Sequence, residues 1–190
     1  GQHSVMTTTH GEGHTGDRMR VGVVGVGARS RLALDAELEG NDGLVTAVCE
    51  PHHLARERVA DRLGKDPDSI TITSDVAGLI ASGIDVAFVT SPDDTHAEVT
   101  CQLLEAGIPV YLEKPLAITM DSATKVLTTA YETGTRLYVG HNMRHMNVVR
   151  SMRDLIRSGR IGEVKAIWCR HFVGSGGDFY FKDWHATREH

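Results

Sequence analysis

The chain has 190 residues, 41% hydrophobic and 24% charged, which excludes wholesale disorder and allows one domain or one plus part of a second. Lys and Arg total 20 against 25 Asp and Glu, a formal charge of −5 that argues against nucleic acid or an anionic membrane surface as the main partner. Aromatics are only 5%, so the core is expected to be aliphatic.

Residues 1–18 are Gly, His, Thr and Ser without periodicity and read as a disordered tail with no signal-peptide pattern. From Arg20 short β-branched runs alternate with amphipathic stretches. A strand over Arg20–Val26 leads to a helix over Ala28–Leu38, and a second strand over Leu44–Cys49 to a helical stretch His52–Leu63. A weak strand at Ile70–Thr73 precedes a short helix Asp75–Ala81. Val86–Thr90 is a continuous apolar run, as in a strand buried on both faces. Helix Thr95–Ala106 ends at Gly107, strand Pro109–Leu112 leads to helix Asp121–Thr133 before Gly134, and Leu137–Val139 is a sixth strand. This alternation predicts an α/β fold, a doubly wound parallel sheet covered by helices on both faces, over residues 19–140. The pattern changes after Gly140: an amphipathic helix Asn147–Ser158, then Val164–Phe172 alternating like a strand with one wet face. Residues 141–190 therefore read as the start of a second α/β domain that is not completed within the chain.

Four groups of residues point to chemistry. Gly25, Gly27 and Ala28–Ser30 end the first strand and open the first helix, where glycines let the main chain approach a pyrophosphate. Position 30 is Ser rather than the third Gly of G-x-G-x-x-G. Glu50 ends the second strand, where a carboxylate accepts from a ribose 2′-hydroxyl and repels a 2′-phosphate, so NAD is favoured over NADP. Nearby Arg56 and Arg58 read as solvated helix charges. Thr90–His96 follows the fourth strand at the edge where such sheets bind ligands; a local alternative is a polar cap with Asp94 capping the helix. Glu113-Lys114-Pro115 sits at the same edge, Pro115 fixing the turn through a cis bond or otherwise, and a partly buried Lys114 there suits proton transfer. Cys49, Cys101 and Cys169 lack metal-ligand spacing, so no metal site is expected and the thiols read as reduced, in a cytoplasmic protein. No apolar run is long enough to span a bilayer.

Taken together, Gly25-Val26-Gly27, Glu50-Pro51, Thr90–His96 and Glu113-Lys114-Pro115-Leu116-Ala117 resemble the Gfo/Idh/MocA oxidoreductase family, as does Val139–Arg144. The resemblance implies a Rossmann domain followed by an α/β domain with a large open sheet, the substrate site between them, and oxidation or reduction of sugars or polyols with NAD or NADP. It implies cofactor contacts at Gly25, Gly27, Ala28, Arg29 and Ser30, with Glu50 on the adenosine ribose. Ser91, Pro92, Asp94 and His96 would line the cofactor, Glu113 its nicotinamide ribose, and Lys114 would orient substrate and handle a proton. Asn142 would lie near the nicotinamide, Arg144 near the domain junction, and Trp184 at the cofactor, although His185 follows it where many members have Arg. The family's later Asp-or-Lys and His pair does not occur within the chain, so the expectation is an N-terminal part, inactive alone, of a homo-oligomeric sugar or polyol oxidoreductase. Two other functions fit the same residues: a glycosidase that oxidises its sugar transiently with NAD, and a non-catalytic NAD or sugar sensor. A plain α/β domain without cofactor is the remaining alternative.

Overall fold

The computed structural model describes residues 18–172, together with 174 and 182. Six parallel strands form one sheet: β1 (Met19–Val24), β2 (Gly43–Cys49), β3 (Thr71–Thr73), β4 (Val86–Val89), β5 (Val110–Leu112) and β6 (Leu137–Val139). Their order is β3-β2-β1-β4-β5-β6, so the chain winds outward from β1 in one direction, returns, and winds outward in the other. That reversal leaves a crevice beyond the carboxyl ends of β1 and β4, the usual ligand position in doubly wound sheets.

Side-chain alternation along the strands fills two cores. Val21, Val23, Val45 and Val48 face one side with Ala33, Val59 and Leu63. Ala47, Ala87, Val89, Val110 and Leu112 face the other with Leu79, Leu103 and Leu104. Both cores are almost wholly aliphatic, as the low aromatic content implies. The helices behind the second core are α2 (Val76–Ala81), α3 (His96–Glu105) and α4 (Met120–Thr133). Asp75 caps α2 by accepting from Gly78 N–H at 2.7 Å, and Thr119 with Ser122 forms a capping box on α4. Gly107 and Gly134, expected to end α3 and α4, follow them with φ of +75° and +64°.

The structure differs from expectation at three places. The first helix is a 3₁₀ segment over Ser30–Glu37; Arg29 offers it no side-chain cap, and tighter turns satisfy the end groups instead. The His52–Leu63 stretch splits into α1 (Ala55–Arg58) and a π-helical segment Val59–Leu63. Cover over β4–β6 is incomplete on one face: Phe88, Tyr111 and Tyr138 are cross-strand neighbours whose rings stack at 4.9 and 5.4 Å, and Tyr138 remains 48% exposed.

Beyond β6, a 3₁₀ turn (Asn142–His145) leads to α5 (Asn147–Arg157). Val148, Met152, Leu155 and Ile156 share one side of α5, as expected, but are exposed in this chain. Val164–Phe172 forms no strand: ladder hydrogen bonds come from a neighbouring strand, and no described strand lies beside it. Cys49 and Cys101 are buried thiols and Cys169 is exposed; burial pushes the Cys49 thiol up. No described helix is long and apolar enough to cross a membrane.

Glu37 pins the 3₁₀ segment to β2, accepting from Val45 N–H at 2.7 Å and pairing with Lys65 at 2.8 Å. Burial raises its pKa, but the bonds from Lys65 and Val45 outweigh that and hold it below its ordinary 4.5. A carboxyl depressed on folding stabilises the fold above its unfolded pKa, and that contribution fades as pH falls through the folded value. Lys65→Met is expected to lower Tm at neutral pH by about 2–4 °C, and by less in acid below the carboxylate range. Equal losses at both pH values would refute the pairing.

Candidate functional site

The carboxyl ends of β1, β2, β4 and β5 open into a cavity of about 1100 Å³. Its lining includes Gly25, Gly27, Ala28 and Arg29 from the turn after β1, and Glu50 from the end of β2. Ser91, Pro92 and His96 line it after β4, and Glu113 and Lys114 after β5. Four loops far apart in sequence thus meet because four adjacent parallel strands end on the same edge.

The glycine turn is shaped by its neighbours. Gly25 has φ +82°, and a Cβ there would stand 2.5 Å from Ser91 Cα. Gly27 faces open space: a Cβ there would meet nothing within 4 Å. Thr90 supports the turn, its N–H donating to Val24 O at 2.9 Å and its hydroxyl to Gly25 O at 2.7 Å. Ser30 lies outside the lining: it is fully buried and its hydroxyl donates to Gly27 O at 2.7 Å. It closes the turn, where the expectation had it contacting cofactor.

Glu50 is 7% exposed and fixed by three donors. Its Oε2 accepts from Val26 N–H at 2.9 Å and from Arg58 at 3.1 Å, and its Oε1 from His52 N–H at 3.1 Å. A carboxylate has about four acceptor positions, so roughly one stays open for a ligand hydroxyl. Arg58 is therefore not a plain solvated charge, whereas Arg56 does stand outside, paired with Asp68 at 2.6 Å. The cue to Arg58 was its place one helical turn into the segment after Glu50, but spacing alone does not say which arginine turns inward.

Across the cavity, Arg29 reaches from the glycine turn to Glu113, 3.0 Å apart, with Glu113 buried and Arg29 about half-exposed. Lys114 follows, joined to Pro115 by a cis peptide bond, and its side chain is exposed rather than partly buried. Tyr111 lies beside Glu113; burial pushes its phenol up, opposed in part by its bond to Asn142, to whose Oδ1 it donates at 3.2 Å. His96 is 1% exposed, with Nδ1 2.6 Å from Pro115 O and Nε2 3.0 Å from Ser91 O.

Other expected residues fall elsewhere. Asp94 lies in a 3₁₀ turn, Asp93–Thr95, and does not cap α3; Thr95 precedes that helix with no side-chain capping bond. Asp94 is not in the lining, but Asp93 is. Asn142 and Arg144 sit in the exposed turn after the edge strand β6 and are not in the cavity lining, although Asn142 reaches its β5 side through the bond from Tyr111. Trp184 lies outside the described residues. Thr90, His52 and Arg58 belong to the site without having been expected there as contacts: bonds across adjacent strands bring in Thr90, and short-range bonds to Glu50 bring in His52 and Arg58.

A family model described as an oxidoreductase family with an NAD-binding Rossmann fold matches residues 19–141. Myo-inositol dehydrogenase Hyg17 of Streptomyces leeuwenhoekii is 34% identical over 121 residues, 62% of this chain and 37% of that protein. The rhizopine catabolism protein MocA of Rhizobium meliloti is 26% identical over 153 residues, 80% of this chain and 46% of that protein. The chain thus spans less than half the length of these relatives. Among solved structures, the WlbA dehydrogenase of Bordetella pertussis, in complex with NADH and UDP-GlcNAcA, superposes with a TM-score of 0.68. At 23% identity, over 77% of this chain and 41% of that one, this likeness is one of fold. With the crevice, its glycine turn and the Glu-Lys-Pro edge already in register, the match over residues 19–141 leaves one assignment: the chain belongs to the Gfo/Idh/MocA oxidoreductase family.

Proposed function

We propose that the chain is the cofactor-binding part of an NAD-dependent oxidoreductase acting on a sugar, polyol or related carbohydrate. One observation carries this reading: a single cavity is lined by the glycine turn, by Glu50 and by Lys114. The residues fit a dinucleotide. The main chain at Gly27 is open to close approach by a pyrophosphate, Arg29 stands beside it, and Glu50 keeps an acceptor position for a ribose hydroxyl. NAD bound there supplies the hydride acceptor for a substrate C–H. The chain's own part is to hold the adenosine ribose through Glu50, orient substrate through Lys114, and exchange the substrate hydroxyl proton at Lys114 Nζ.

The NAD preference follows from charge. Glu50 repels a 2′-phosphate, and Arg58, already bonded to Glu50 Oε2, offsets that repulsion only in part. Fluorescence titration of the chain is expected to show NADH bound at least about tenfold more tightly than NADPH. Glu50→Gln removes the repulsion and frees Arg58, so the preference is expected to shrink or invert. Equal affinity for both dinucleotides in the unaltered chain would sink the NAD assignment, and no binding of either would sink the cofactor reading altogether.

The substrate half of the proposed reaction lies with the rest of a longer protein, and the 190-residue chain is expected to bind NAD with little or no turnover. In this reading residues 141–190 begin the substrate domain, and the complete protein is a homo-oligomer.

A further inference from the structure

His96 is buried, 1% exposed, yet both its ring nitrogens face main-chain carbonyl oxygens: Nδ1 at 2.6 Å from Pro115 O, Nε2 at 3.0 Å from Ser91 O. Carbonyl oxygens only accept. A neutral imidazole has one N–H and one lone pair, so it satisfies one of these oxygens and turns a lone pair on the other. In a site closed to water that mismatch is costly, whereas a ring carrying both protons donates to both. The charged residues of the two loops and the first turn of α3 are Asp93, Asp94, Glu98 and Glu113 with Lys114. Glu113 is already paired with Arg29 of the glycine turn, so it is the two carbonyl oxygens that favour the double donor.

We propose that His96 carries both ring protons and is a two-donor tie, a positioning residue that fixes the turn bearing Lys114 to the loop after β4. The idea rests on the proposed role of Lys114, whose neighbour Pro115 supplies one of the two acceptors. The tie completes a line of contacts across the site. The Thr90 hydroxyl holds the glycine turn at Gly25 O, and Thr95 Oγ1 lies 2.6 Å from Ser91 Oγ and 2.7 Å from Pro92 O, closing the intervening loop. His96 carries that line on to Pro115. The turn that cradles the dinucleotide and the turn that presents the lysine are thereby held at one spacing. His96 lines the cavity, but both its nitrogens are engaged by main-chain oxygens and are not offered to a ligand.

The test uses the whole chain in two measurements. With the histidine ring nitrogens isotope-labelled, nuclear magnetic resonance near neutral pH is expected to show two directly bonded protons on the His96 ring, assigned by its loss in His96→Gln. A ring with one bare nitrogen overturns the proposal; should His96→Gln fold poorly, the ring signal is assigned in the unaltered chain through its bonds to the labelled backbone. For positioning, the five lysines are given labelled methyl groups and Lys114 is assigned through Lys114→Arg. In His96→Gln, whose single side-chain nitrogen cannot span both oxygens, the Lys114 signal is expected to move while those of Lys65 and Lys125 stay. A Lys114 signal that does not move refutes the tie. Neither measurement involves a dinucleotide, so a chain that fails to bind NADH counts against the proposed function alone.

Discussion

In an enzyme that joins this chain to a substrate domain, Lys114→Ala is expected to lower kcat by about 10²–10⁴-fold and to leave NADH affinity nearly unchanged. The size follows from the task. Oxidising an alcohol carbon requires the hydroxyl proton to leave along with the hydride, and Lys114 is the lysine of the cavity lining. Affinity should survive because, in the proposed reading, the dinucleotide is held by other groups of the lining: the glycine turn, Arg29, Glu50 and the loop after β4. Truncating an exposed side chain leaves the fold intact. Stopped-flow or steady-state kinetics beside a fluorescence titration separate the two effects. A variant that folds but loses NADH along with turnover contradicts the role; so does one that keeps turnover.

Much of the fold was legible because its signals are local. Val21 and Val23, or Ala87 and Val89, announce buried strands through short apolar runs, and Gly134 marks the end of α4. What escaped depends on neighbours distant in sequence. Val164–Phe172 has a strand's alternation, but alternation describes two faces and does not supply a ladder partner. The apolar side of α5 is correctly periodic, yet periodicity does not say what covers Val148 or Leu155. On β4 the apolar run suggested two covered faces; Ala87 and Val89 are covered, while Phe88 stacks in an aromatic row that runs through Tyr111 to half-exposed Tyr138.

The site divides in the same way. Gly25, Gly27, Glu50 and Glu113-Lys114 occur at strand ends, and a doubly wound sheet gathers strand ends, so their meeting could be read in advance. Which way each side chain turns could not. Ser30 stands where a third glycine is common, but its hydroxyl bonds back to Gly27 O. Arg56 and Arg58 are two residues apart on one short helix, about 200° around its axis, so one reaches Glu50 and the other Asp68. His96 looked like a cofactor contact, yet its two nitrogens are taken up by the loops it joins.

Alanine at the two glycines of the turn is expected to do opposite things. At Gly25 the main chain has φ +82°, where a Cβ costs about 1–2 kcal/mol, and that Cβ would stand 2.5 Å from Ser91 Cα and 2.7 Å from Ser91 N. Those atoms are main chain beside Thr90, itself bonded to Val24 O and Gly25 O, so they yield only by moving β4, at about 1–3 kcal/mol more. Gly25→Ala should therefore melt on the order of 10 °C below the unaltered chain, and bind NADH weakly because the crevice itself is displaced. Gly27 has neither a positive φ nor any atom within 4 Å of its added Cβ, so Gly27→Ala should melt at or slightly above the parent. The space that the new methyl enters is the space the proposed reading gives to the pyrophosphate, and NADH affinity should fall at least about tenfold with the fold untouched. Calorimetry and fluorescence titration of the two variants together isolate close approach from stability. If Gly27→Ala binds NADH as the parent does, the pyrophosphate does not lie against this turn, and the open face at Gly27 has some other use.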